Sequence, residues 1–135
     1  MSVIVTDTGF GPDDWTRGYT ELAEAANDVT ALDLPSDADV EALADKLDTL
    51  HMVRIDFPSF ADGRGFTLAR LLRLRGYKGR LRARGHVIAD QYAMARRSGF
   101  DEVEISDDLA ARQPEDQWQF RADWTDNDYQ ARLRG

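Results

Sequence analysis

The 135-residue chain contains no cysteine. That excludes a disulfide framework, a thiolate zinc site and a cysteine-ligated iron–sulfur cluster. Histidine is scarce as well. His51 and His86 have no recognisable metal-ligand spacing, so no metal is expected. No stretch approaches the roughly 20 apolar residues of a membrane-spanning helix. The opening "MSVIVTDTG" lacks a basic leader and an apolar core of signal-peptide length. Neither membrane insertion nor export is expected, and a cytoplasmic location is. Nucleotide fingerprints are missing too: "GRGF" at 63–66 lacks the third glycine of a dinucleotide turn and the lysine of a phosphate loop. Ser59, Thr67 and Ser98 stand in no nucleophile-elbow context. There is no internal repeat, linker or low-complexity segment.

What is present fits one soluble α/β domain spanning 1–135, with 42% hydrophobic and 31% charged residues. The net charge of −8 conceals an asymmetry. Ten basic residues lie between Arg64 and Arg97 with Asp90 as their only acid, while seven basic and 24 acidic residues occupy the remainder. Internal neutralisation accounts for such a segment, and so does a local positive field for a small anion or an acidic protein patch. Nucleic acid is not expected, because the acidic remainder repels phosphate backbones.

Patterning predicts the elements. "SVIVT" (2–6) and "VTALDLP" (29–35) read as strands, "YTELAEAAN" (19–27) as a short helix and "SDADVEALADKLDTL" (36–50) as a longer one. "MVRIDF" (52–57), "RLRAR" (80–84) and "DEVEIS" (101–106) are strands, separated by helices over about 67–75 and 87–99. Gly76 and Gly99 end those two helices. The tail is expected to hold short helices that dock through Trp118, Phe120, Trp124 and Tyr129. Alternating strands and helices predict parallel βαβ units. In each strand apolar residues (Val53, Ile55, Leu81, Val103) alternate with charged ones (Arg54, Asp56, Arg82, Glu104), so the sheet has one apolar face for helices and one charged face. The expected architecture is either a barrel-like arc or an open sheet with helices on one face.

Ligands of parallel α/β folds gather at the carboxyl ends of strands. Two turns lie there. "FADGRGFT" (60–67) offers Arg64 and the amides near Gly65 and Phe66 as an anion cradle, with Arg82 or Arg84 completing it from the next strand. The alternative makes Asp62 a turn cap and Arg64 its partner or that of Asp56. "RGHVIADQ" (84–91) places His86, Asp90 and Gln91 together, and the i, i+4 spacing of His86 and Asp90 predicts a shared polar site, or else a purely structural histidine.

The run "DFPSFADGRGFTLARLLRLRGYKGRLRARGHVIADQYAMARRSGFDEVEI" (56–105), together with "DDW" at 13–15, resembles the bacterial domain-of-unknown-function family 934. Asp62, Arg64, Arg82, Asp90 and Gln91 match its pattern, whereas Arg80 and His86 depart from it. Members are encoded beside assimilatory sulfite reductase and often carry the label of oxidoreductase in sulfite reduction. The chain has no flavin or nicotinamide fingerprint and no cluster ligands, so no cofactor is expected. The resemblance therefore implies an accessory protein of sulfite assimilation that binds the reductase, its electron donor or a small oxyanion. A small enzyme acting on an anionic substrate at the strand-end turns, and an oligomeric (for instance homodimeric) scaffold, are the alternatives.

Overall fold

A computed structural model describes residues 2–26 and 28–119. Phe120, Trp124 and Tyr129 lie outside the described residues, as does Asn27 at the end of the first expected helix. Seven strands form one sheet: β1 (Ser2–Thr6), β2 (Gly9–Gly11), β3 (Thr20–Glu21), β4 (Ala31–Leu34), β5 (Met52–Phe57), β6 (Arg80–Gly85) and β7 (Glu102–Ser106). Their order is β2-β1-β7-β6-β5-β4-β3. From β3 to β7 successive strands are parallel neighbours, and antiparallel β1 and β2 extend the β7 edge. The expected parallel trio is present, paired from Met52↔Arg80 to Phe57↔Gly85 and from Arg82↔Glu102 to Arg84↔Glu104. Of the two architectures, the open sheet is correct. Antiparallel β1 takes the edge of β7 and the two-residue β3 ends the other side, so the arc does not close into a barrel.

Helices α1 (Arg64–Leu74) and α2 (Tyr92–Ser98) fill the crossovers, and α3 (Asp107–Arg112) and α4 (Glu115–Gln119) follow β7. Phe66, Leu68, Ala69 and Leu72 of α1 join Tyr92 and Ala95 of α2 in one core with Val53, Ile55, Phe57, Leu81, Ala83 and Val103. Burying each large side chain of this set contributes about 1.5–3 kcal/mol. Trp118 docks as expected, its indole Nε1 donating to the Gln113 carbonyl at 2.8 Å.

Two expected helices are replaced by shorter turns. In 19–27, Thr20 and Glu21 pair with Leu32 and Asp33 of β4, which leaves only a 3₁₀ turn at Leu22–Glu24. In 36–50 the regular element is a 3₁₀ turn at Val40–Leu43. Aspartates compete with helical backbone for hydrogen bonds, and Asp39 does so by accepting from the Glu41 amide at 3.0 Å. The 87–99 helix also divides, into a 3₁₀ turn at Ala89–Gln91 and α2, because the Gln91 side chain turns back to accept the Ile88 amide. In the opposite sense α1 begins earlier than expected, at Arg64.

The charged sheet face is an internal ladder. Parallel register aligns Asp33, Arg54, Arg82 and Glu102 in one row and Asp56, Arg84 and Glu104 in the next. Residues 12–19 cross this face as a strap: Asp13 accepts from Arg82 at 3.0 Å, Asp14 from Arg80 at 2.8 Å, and Tyr19 lies 3.8 Å beneath the Arg54 guanidinium. Arg82 is 0% exposed.

A cleft at the carboxyl rim of the parallel strands

The basic segment is largely neutralised within the fold. Arg64, Arg73, Arg75, Arg80, Arg82, Arg84 and Arg96 each pair with a carboxylate. The tightest set surrounds Arg82, whose guanidinium reaches Glu102 at 2.6 Å and Glu104 at 3.0 Å besides Asp13. Burial works against its charge, yet Glu102, Tyr19 and Asp13 together outweigh that and hold its pKa above the ordinary value. Arg54 behaves alike, with burial opposed by hydrogen bonds of 2.8 and 2.6 Å to Asp33. Arg82 is thus a structural cation of the ladder, enclosed beneath the strap.

The "ADGRGFTL" turn uses its charges on itself. Asp62 accepts from the Arg64 amide at 3.1 Å and from its guanidinium at 3.0 and 2.8 Å, while Ser36 donates to Asp62 at 2.9 Å. Arg64, foremost, holds the Asp62 carboxyl well below the usual carboxylate range. The Phe66 amide donates to the Gly63 carbonyl at 3.2 Å. Gly65 is needed for packing: a Cβ there would stand 2.4 Å from the Phe57 ring, so the missing side chain lets α1 lie on the end of β5. Phe66 itself is buried beside Phe57, with ring centroids 4.9 Å apart. The structure therefore does not bring Arg64, Gly65 and Phe66 together with Arg82 as one cradle.

The second turn is held by Gly85, whose φ of +108° is open to glycine and whose Cβ would meet the Phe57 carbonyl at 2.8 Å. That approach lets the His86 amide donate to the Phe57 oxygen at 3.0 Å, with His86 Nδ1 3.1 Å from the same atom. The imidazole also meets the Phe60 ring edge-on, centroids 5.0 Å apart. His86 makes no hydrogen bond to Asp90, which is exposed on the following turn. Gln91 serves the backbone, donating to the Phe60 carbonyl at 3.2 Å as well as accepting from Ile88. Of this predicted polar group, His86 borders a cavity at the strand ends.

Two cavities open where the parallel strands end. The larger, of about 590 Å³, is bounded by Glu21, Leu22, Ala23, Asp33, Leu34, Pro35, Asp56 and Arg84. The smaller, of about 330 Å³, is bounded by Ser2, Pro58, Gly85, His86, Glu104, Ile105 and Ser106 and again by Asp56 and Arg84. Asp56 and Arg84 sit side by side in register on β5 and β6, so they form the partition between the two. Arg84 is the loosest-held arginine of the ladder: its side chain is 47% exposed and, among the described residues, its one ion pair, to Glu104, is 3.5 Å long. This cleft is what an α/β sheet offers ligands, concave, mostly apolar and carrying a few convergent polar groups.

Sequence reasoning placed Arg84 and His86 at this rim and did not assign Asp56 or Glu21 to it. A signal for Asp56 was available: it is the last charged residue of β5 on the polar face, directly before "PSF" ends the strand. Glu21 had none, because its segment read as helix. Among the described residues no group of three or more histidine, aspartate or glutamate side chains is arranged to hold a metal, and no helix is long and apolar enough to cross a membrane.

A family model described as "Bacterial protein of unknown function (DUF934)" matches residues 31–135. The matched span contains Asp33, Asp56, Arg84 and His86 of the cleft. No curated protein and no solved structure matched the chain.

Proposed function

Since the chain belongs to the DUF934 family of bacterial proteins of unknown function, we propose that it is an accessory protein of assimilatory sulfite reduction that receives an anionic group at the strand-end cleft. The pathway rests on the resemblance carried by residues 56–105. The place rests on one observation: Arg84 stands half exposed between two strand-end cavities, with a single long ion pair among the described residues. A guanidinium in that position can take an oxyanion in two parallel hydrogen bonds. The same geometry suits sulfite or a carboxylate presented by the reductase or its electron donor. Arg64, by contrast, is already satisfied by Asp62.

The expected phenotype is specific. A deletion strain grows poorly on sulfite as sole sulfur source and normally on sulfide or cysteine. Wild type restores growth and Arg84→Ala does not, whereas Arg64→Ala does. In calorimetry the isolated protein binds sulfite, and Arg84→Ala abolishes the heat. Normal growth of the deletion strain on sulfite, with no second copy of the gene, refutes the pathway reading.

A second reading has one observation in its favour. Asp56, Arg84 and His86 border one cavity of about 330 Å³, which assembles a carboxylate, a guanidinium and an imidazole as an acid–base enzyme would need. Turnover of an anionic substrate by the purified protein, lost in Asp56→Asn, selects this reading over the accessory one. The scaffold alternative has less to stand on, because the strap covers the charged face it would use.

A further inference from the structure

The larger cavity is bipolar. Leu22, Ala23, Leu34 and Pro35 give it an apolar side, and Glu21, Asp33, Asp56 and Arg84 a charged one. These four charges are not equally occupied. Arg54 neutralises Asp33 through two hydrogen bonds. Asp56 is half-buried and, among the described residues, its carboxylate makes no hydrogen bond or ion pair. Its in-register neighbour Arg84 turns to Glu104 instead, at 3.5 Å. Adjacent strands stand about 4.8 Å apart, so an unpaired carboxylate and a loosely paired guanidinium lie side by side on the rim without meeting. That carboxylate faces the cleft and is open to a donor that enters it.

A simple oxyanion uses only the Arg84 half of this arrangement. It would satisfy Arg84 but sit against the like charge of Asp56, with Glu21 near. A simple amine has the converse fault. We infer that the cavity binds a small zwitterion, an α-amino acid with an extended apolar side chain: its carboxylate on Arg84, its ammonium on Asp56, and its side chain along Leu22, Ala23, Leu34 and Pro35. The inference rests on the reading of Arg84 as the group of the rim that receives anions, and it names the ligand class of that site. Two charge contacts and an apolar wall read the whole ligand, whereas sulfite uses one of them. The volume of about 590 Å³ lies within the span of small-molecule sites, about 300–1,000 Å³.

The test uses titration calorimetry of the full chain with L-norleucine, hexanoate (the same skeleton without the ammonium), pentylamine (without the carboxylate) and sulfite. Norleucine is expected to bind at least tenfold more tightly than hexanoate or pentylamine. Asp56→Asn should weaken norleucine at least tenfold and leave hexanoate unchanged or improved, while Arg84→Ala should abolish norleucine. On the unmodified protein, norleucine should shift the amide resonances of Ala23, Asp56 and Gly85, a readout independent of any variant's folding. Norleucine binding no better than hexanoate, or shifts confined to α1 and α2, overturns the zwitterion. If sulfite binds under those same conditions, the anion reading of the rim survives that failure. Tight norleucine binding without sulfite binding supports the zwitterion and removes sulfite as the ligand.

Discussion

Replacing Arg82 with methionine probes what holds the polar face together. The side chain is fully enclosed and contacts Glu102, Glu104 and Asp13 within 3.0 Å. Methionine keeps much of the volume and removes the charge. Breaking a buried ion pair from one side costs about 3–5 kcal/mol, because the remaining charges lose compensation in a low-dielectric site. Here the lower end applies: Glu102 retains Arg80 at 2.7 Å and Glu104 retains Arg54 at 3.1 Å. The expected loss is about 3 kcal/mol, which for a chain of this size lowers Tm by roughly 10 °C. Urea unfolding measures the free energy and a thermal scan the midpoint. Because buried charges are little screened, the loss should persist in molar salt, whereas any contribution of the surface pair Arg75–Glu41 should vanish. In a cycle with Glu104→Gln, a coupling of about 1.5–3 kcal/mol is expected. A loss below about 1 kcal/mol with no coupling refutes the argument, and would mean that water reaches the ladder beneath the strap.

Gly65→Ala should destabilise by about 1–3 kcal/mol through collision with the Phe57 ring, despite the better helix propensity of alanine, while Gly63→Ala, whose nearest neighbour would be 3.9 Å away, stays within about 0.5 kcal/mol. Equal effects in thermal scans would discard the close-packing role. The Asp62 carboxyl, depressed by Arg64, contributes stability that is present above the unfolded aspartate value of about 3.9 and is lost as pH falls through its lower folded value. Carbon-detected titration should find Asp62 still ionised at a pH where exposed aspartates have protonated, and Arg64→Ala should bring it back to the ordinary range. A titration of Asp62 unchanged by Arg64→Ala would break the link.

The strands of the sheet were legible where charge alternates with bulk. Arg54 and Asp56 between Val53, Ile55 and Phe57 define both an extended segment and its two faces, since no helix sorts neighbouring residues that way. The same rule found Arg80, Arg82 and Arg84. What it could not show is where charged residues find their partners. Asp13 and Asp14 reach the ladder from 66 or more residues away in sequence, and nothing local marks them as a strap. The short β3 was hidden for a related reason: Thr20 and Glu21 are extended only because β4 lies alongside. The cradle expected at Arg64 was a sound reading of glycines and a helix start. Asp62, two residues earlier, took both the amide and the guanidinium, and local competition of that kind depends on rotamers that spacing does not reveal. Arg84 and His86 were legible as strand-end residues, while Asp56 gained its place from the register between β5 and β6.

The seat of β1 beside β7 has a consequence for biosynthesis. Ser2 is paired with Ser106, and Val5 with Val103, so β1 cannot take its place until β7, made long after it, exists. At about 5–20 residues per second, residues 2–6 wait on the order of 5–20 seconds outside the ribosome while the parallel block assembles in order from β3. During that interval the growing block ends in an unpaired edge, β6 until β7 is made, the kind of surface on which other chains stack. β1 then covers the edge of β7. Nascent chains of this protein should therefore be most prone to aggregate late in synthesis, and a shortened or mispaired β1 should act less on the stability of the finished fold than on the fraction of chains that reach it.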